Sequence, residues 1–177
     1  MDSRLRRIRR WTWFFIAGLI FSGATALPIP TAFHTVVALL GEDLRAGGLI
    51  PQVFATWLQT VREGVRHTEE SAPFMFYGTD WLAFGHFVIA AAFVGALNDP
   101  VRNRWLYKFG MMAAAAVPVW ALVFGQLRGI PMWWRGIDAS FGIIGFFPAW
   151  LCYRWTGEIE AMARSLPAED PGRKQGA

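Results

Sequence analysis

Apolar positions along the chain gather into four long runs, separated by short polar breaks and one longer outer segment. The first run, "WTWFFIAGLIFSGATALP", begins at Trp11 and is stopped by Pro28 and Pro30. The second, "WLAFGHFVIAAAFVGAL", ends at "NDP", and two more occupy 105–127 and 133–155. A helix that crosses a bilayer needs about 20 mostly apolar residues. The pattern therefore predicts an all-α polytopic membrane protein with four transmembrane helices, at about 11–28, 80–97, 105–127 and 133–155. Two runs are slightly short, so their helices are expected to extend into the flanks. A single domain, 1–164, holds the spans, with an outer interfacial segment at 29–79. Within that segment "PQVFATWLQTVREGVRH" places Val53, Phe54, Trp57, Leu58, Val61 and Val65 on one helical stripe. Gln52, Gln59, Arg62, Glu63 and Arg66 fall on the opposite face, the signature of an amphipathic helix. Beside membrane spans such a helix lies in the outer interface, either capping the bundle or forming a lid over a site. The end of the chain, 165–177, is polar and rich in Pro and Gly, and reads as a disordered tail.

Composition agrees with the pattern. Hydrophobic residues make up 54% of the chain and charged ones only 17%, against about a quarter in soluble domains. The tryptophans sit at the ends of the apolar runs, like an aromatic belt at a membrane interface. "RLRRIRR" puts five arginines before the first run, and four spans leave both termini on one side. That side then holds twelve basic residues against five on the other (Arg45, Arg62, Arg66, Arg128 and Arg135), so the positive-inside rule places both ends in the cytoplasm. Topology thus accounts for the +4 net charge, and a nucleic-acid partner is not called for. The competing reading of the first run as a cleaved signal peptide, with "ATA" as its cleavage site, is disfavoured because Trp and Phe crowd a region usually rich in Leu and Ala. No internal repeat and no phosphate-binding, dinucleotide or zinc spacing is present. The acidic residues of the outer segment, including Glu42 and Asp43, are too scattered for a calcium loop; no metal is expected. The lone Cys152 reads as a small buried hydrophobe.

Candidate chemistry gathers around "GQLRGIPMWWRGIDASFG", 125–142, where charges meet an apolar run. Ionisable residues inside spans are costly and face a partner or a wet cavity. His86 lies six residues beyond Asp80, about 9 Å deeper, and Asp138 five residues beyond Trp133, about 7 Å deeper, so both belong to the outer third of the bilayer. Asp138 shares a face with Gly142, Gly145 and Ala149, small residues that permit close helix packing. Arg135, three residues earlier, is placed for an i,i+3 ion pair with it. Arg128 sits in the short outer turn beside Gly129 and Pro131. Asp80, His86, Arg128, Arg135 and Asp138 are therefore the candidate ligand-binding residues. Each has a plainer role open to it: Asp80 as a helix cap, His86 as a buried hydrogen-bonded histidine, Arg135 and Asp138 as a structural clamp, Arg128 as a contact to lipid phosphate. Asp99 in "NDPVRN" reads as a turn cap, and Pro118 as a kink whose freed carbonyl neighbours must satisfy.

"YGTDWLAFGH", "NDPVRN" and "RGIPMWWRGIDASFG" resemble stretches of a group of small four-span bacterial membrane proteins of unassigned activity. The resemblance covers most of 73–155, implies a bacterial inner-membrane location, and carries over no catalytic residue. Three functional classes follow from the residues. In the first, Arg128 and Arg135 clamp a phosphate or carboxylate of an anionic small molecule or lipid, with Asp138 holding Arg135 in place. In the second the chain is an accessory or scaffold subunit, alone or as a homo-oligomer, with membrane-protein partners. His86 would there be a haem ligand facing His34, or part of a quinone pocket, with Arg135 and Asp138 purely structural. In the third, an outer-leaflet enzyme uses His86 and Asp138 as an acid–base couple, although Ser140 lies on another helical face and no other nucleophile stands in a persuasive context.

Overall fold

The computed structural model describes residues 2–27, 35 and 52–165. Among them there is no strand. Helix α1 spans Asp2–Ala26, α2 Gln52–Ser71, α3 Tyr77–Asn98, α4 Arg104–Leu127 and α5 Met132–Ser165, and a 3-10 turn at Pro73–Phe76 leads into α3. Three stretches are long and apolar enough to cross a membrane: Pro73–Asn98, Arg104–Leu127 and Met132–Ser165. Helix α1 is 25 residues long, but arginines occupy five of its first nine positions, leaving 11–26 as its apolar part. Glu42 and Asp43 of the outer segment, and His34, lie outside the described residues, as does the tail beyond Ser165.

Two boundaries differ from those the pattern predicts. Helix α1 begins before the arginine cluster instead of after it, because arginine is a good helix former and two of the arginines are tied down. Arg4 pairs with Glu158 at 3.2 Å and Arg9 donates to the Asn98 carbonyl. Helix α5 runs ten residues past 155, to Ser165, since its polar end carries its own pairs: Arg154 with Glu158 and Arg164 with Glu160, both one helical turn apart. Such i,i+4 pairs support a helix after its apolar stripe has ended. The turn between α3 and α4 is stitched as expected at Asp99, whose carboxylate accepts from the Arg102 amide at 3.0 Å. Asn103 Nδ2 adds a bond to the Gly95 carbonyl.

The chain divides into two compact units, 1–18 with 90–177 and 19–89. In the first, α4 and α5 pack side by side as an antiparallel hairpin. Buried positions recur at intervals of three, four or seven residues: Tyr107, Gly110 and Ala114 on α4, then Arg135, Gly142, Ala149, Cys152, Thr156 and Ile159 on α5. That is the spacing of a left-handed helix seam. The closest approach lies at Gly142, where a Cβ would come 2.5 Å from the Ala114 carbonyl oxygen and 2.7 Å from Pro118 Cδ. Pro118 has no amide hydrogen, so it leaves that carbonyl without its helical partner; Gly142 meets the freed oxygen with its Cα hydrogens, a weak but favourable contact.

Ile8, Thr12 and Ile16 of α1, one turn apart, are all buried. Thr12 Oγ1 lies 2.8 Å from the Ile8 carbonyl and 2.7 Å from the Tyr107 hydroxyl, which in turn reaches the Ala96 carbonyl at 3.3 Å. Two hydroxyl protons serve these three contacts. The shortest pair has Tyr107 donating to Thr12 and Thr12 donating to Ile8. Cys152 lies beside them, 1% exposed, its thiol 3.6 Å from the Ile8 carbonyl. It is the small buried residue that the sequence predicts. Phe15 and Phe93, with ring centroids 4.6 Å apart, fill the next layer.

In the second unit, α1 passes α3 closely at Gly23, where a Cβ would meet Phe87 Cε1 at 2.9 Å and the Ala83 carbonyl at 3.1 Å. Helix α2 sorts its faces only in part as the sequence predicts: Trp57, Leu58, Val61 and Val65 are half-buried, but Val53 and Phe54 at the start of the same stripe are exposed, as are Gln52, Gln59, Arg62, Glu63 and Arg66. Large apolar side chains cover the outside of the spans, among them Trp81, Trp105, Trp120, Phe141 and Ile143, the opposite of what water would tolerate in patches of this size.

Two substitutions test the seam and the buried hydroxyls. Gly142→Val overpacks the crossing and is expected to destabilise the detergent-solubilised protein by about 1–3 kcal/mol, read as a lowered Tm in circular dichroism. Gly136→Ala, where an added Cβ meets nothing within 4 Å, leaves Tm within a few degrees. In a double-mutant cycle, Thr12→Val and Tyr107→Phe each cost about 1–2 kcal/mol, and together cost clearly less than their sum because they share one bond. Strict additivity in chemical unfolding would remove that bond from the account.

Candidate functional site

The turn between α4 and α5 is built by "QLRGIP". Gly129 adopts φ +69°, the left-handed conformation that glycine takes without penalty. Its amide reaches the Gln126 carbonyl at 3.2 Å, and the Ile130 amide reaches the Gly125 carbonyl at 2.9 Å. This is a Schellman ending, and Pro131 after it prevents the helix from resuming at once. Arg128 supplies the helix's last backbone conformation and points its exposed side chain outward. The Arg135 amide bonds back to the Pro131 carbonyl at 3.1 Å, which starts α5 and brings Arg135 round to face the end of α4.

There the Arg135 side chain lies in a recess made by Gly125. A Cβ at that glycine would fall 2.5 Å from Arg135 Cδ and 2.6 Å from Cγ. The residue is 8% exposed. Its Nη1 donates to the Leu122 carbonyl over a long 3.4 Å, and its buried Nε has no acceptor. Among the described residues no carboxylate pairs with it. The last turn of α4 offers the negative end of a helix dipole, worth roughly half an elementary charge. Among the described residues nothing else matches the guanidinium charge.

Arg104 at the opposite end of the hairpin provides the comparison, and sequence reasoning passed it over as one more topogenic charge. It lies against Gly157 of α5, where a Cβ would be 2.6 Å from Nη2. Its Nη1 pairs with Glu160 at 2.9 Å, its Nε donates to the Tyr153 carbonyl at 3.3 Å, and its guanidinium sits 4.1 Å over the Tyr153 ring. The two arginines occupy the same kind of glycine recess. One has a full set of partners and the other does not. Gly157 three residues before Glu160 was the signal in the sequence: space for a guanidinium with its counter-charge one turn on.

Asp138 does not form the expected pair with Arg135. The arginine stem is drawn across Gly125, while the half-buried carboxyl of Asp138 opens onto a groove of about 370 Å³ on the flank of α4, lined by Ala113, Ala116, Val117, Trp120 and Ala121. Ser140 spends its hydroxyl on the Ile137 carbonyl of its own helix, 2.6 Å away. Arg128, Arg135 and Asp138 therefore share one unit, whereas Asp80 and His86 belong to the other. Asp80 is exposed in the first turn of α3, where a carboxylate favours the helix dipole. His86 is half-buried, with Nδ1 2.8 Å from the Leu82 carbonyl. A carbonyl can only accept, so Nδ1 holds the proton and Nε2 is the ring's remaining nitrogen. Among the described residues no cluster of three His, Cys, Asp or Glu side chains is set for a metal.

No protein-family model matches the chain, and no curated protein or solved structure matches it. The residues alone carry the functional reading.

If Arg135 served the fold, removing it would weaken the protein. A buried guanidinium without a counter-charge has the opposite effect, since burying an unpaired charge costs free energy that an apolar residue of similar volume does not incur. Arg135→Met is therefore expected to raise the Tm of delipidated protein, while Arg104→Met lowers it. A loss in both variants would make Arg135 structural.

Proposed function

We propose that the chain is a four-span bacterial inner-membrane protein, both termini cytoplasmic, whose site near the outer face binds the anionic group of a lipid or small amphiphile. The observation that carries this reading is Arg135, buried in a built recess with its Nε unsatisfied and, among the described residues, no carboxylate to neutralise it. Leaving such a group unpaired is expensive, and a phosphate or carboxylate accepting from the guanidinium fork removes the expense. Exposed Arg128, fixed on the turn just above, adds a second positive charge at the mouth. For the topology, the apolar part of α1 is the fourth span, and the twelve-to-five distribution of basic residues orients it. Helix α2, with its apolar stripe and charged back, is read as lying in the outer interface.

The subunit reading draws on one observation of its own. His86 donates Nδ1–H to a backbone carbonyl, the arrangement that orients a histidine for ligation through Nε2. A haem or quinone partner would use that nitrogen.

Gentle purification from native membranes, followed by an absorption spectrum and native mass spectrometry, separates the two. The anion-site reading expects a colourless protein carrying an anionic amphiphile, with retention at least tenfold lower in Arg135→Lys, because a lysine keeps the charge but loses the planar fork. Undiminished retention in that variant would remove the site. A haem spectrum lost in His86→Ala would install the alternative.

A further inference from the structure

We propose that the ligand is an aminophospholipid, its phosphate on Arg135 and its protonated amine on Asp138 in the flanking groove. The inference rests on the reading of Arg135 as an anion site and deepens it. Two opposite charges sit three residues apart on α5, a rise of about 4.5 Å, yet they do not neutralise each other: among the described residues neither has an ion-pair partner. Each stands in a different recess of α4. Arg135 lies over Gly125, and Asp138 opens onto the alanine-lined groove.

That groove is apolar except for its one carboxyl. The methyl groups of Ala113, Ala116 and Ala121 keep it open, and Trp120 presents an indole whose position is supported by Phe124, 4.1 Å away between ring centroids. A carboxylate in a groove lined by an aromatic ring suits a cation. An apolar wall under both suits an acyl chain. A headgroup with phosphate and ammonium joined by a short ethylene spacer supplies both charges in one molecule, separated by roughly one helical turn. A purely anionic lipid would satisfy Arg135 but bring its phosphate up to Asp138 with nothing to offset the repulsion. A purely cationic amphiphile would meet the reverse problem at Arg135.

The test uses full-length protein in nanodiscs of phosphatidylcholine doped with phosphatidylethanolamine, phosphatidylglycerol or N-acetylated phosphatidylethanolamine, with bound lipid counted by native mass spectrometry. Wild type is expected to retain phosphatidylethanolamine at least tenfold over the other two. Asp138→Asn, which keeps shape and removes charge, is expected to bring the three to within twofold while total retention persists. Arg135→Met is expected to lose all three, with Arg135→Lys as the gentler variant should the first misfold. Equal retention of the three lipids by wild type, or a preference untouched by Asp138→Asn, overturns the assignment of the amine while leaving the anion site standing. Lipid retention indifferent to both Arg135 variants overturns the anion site itself.

Discussion

Glycines set the register of the α4–α5 hairpin: at each end a glycine of one helix leaves room for an arginine of the other, and in the middle a third lets the backbones meet. Near the start of α4, Arg104 enters the recess at Gly157; near the start of α5, Arg135 enters the recess at Gly125. Between the two, Gly142 lets the helices touch at the carbonyl that Pro118 has freed. A slide of one turn would drive a side chain into all three places at once. The arrangement also puts the Arg135 guanidinium beside the carbonyl-rich end of α4, where the helix dipole favours a cation.

A bilayer gives helices little hydrophobic reason to associate, so packing and polar contacts must hold them together. The described unit uses both. Its interior combines small residues and a few large apolar ones, among them Ile8, Ile16 and Phe93, with the hydroxyls of Thr12, Tyr107 and Thr156, all buried and all hydrogen-bonded, while many other large apolar side chains, Trp105, Trp120 and Phe141 among them, face outward. Tyr107 joins α1 to α4 through Thr12 and reaches α3 through the Ala96 carbonyl. A hydroxyl network of this kind is fully satisfied within itself, which marks it as structure. Set against those hydroxyls, the buried Arg135, whose Nε has no acceptor, stands apart.

Most of the helices could be read from the sequence because their apolar runs are long and their breaks are sharp. Pro28 follows α1, "NDPVRN" forms the hydrogen-bonded turn, and "RGIP" holds the glycine that a helix ending requires. What the pattern missed has a common cause. The arginines before Trp11 and the polar residues after Trp155 look like loop by hydropathy, yet ion pairs such as Arg4 with Glu158 keep them helical. Pairing across 154 residues leaves no mark in a local window. The candidate site was legible in part. Arg135 and Asp138 were visible as costly charges near a membrane edge, but their spacing implied a mutual pair. Only the absence of a side chain at Gly125 draws them apart, and that depends on which glycine of α4 lies opposite. Arg104 was counted solely as a charge for orientation, although Glu160 and Gly157 were already in view.

The recess at Gly125 also makes the order of sequence change matter. A methyl group added there while Arg135 is in place collides with the arginine stem, at 2.5 Å from Cδ. Shortening position 135 first vacates the space, and the same methyl group then fills a void. Drift along this lineage is accordingly one-way at its start: the charge must be abandoned before the glycine can be. Once alanine stands at 125, the way back to a buried arginine is closed until that methyl is lost again, so the two positions work as a historical ratchet.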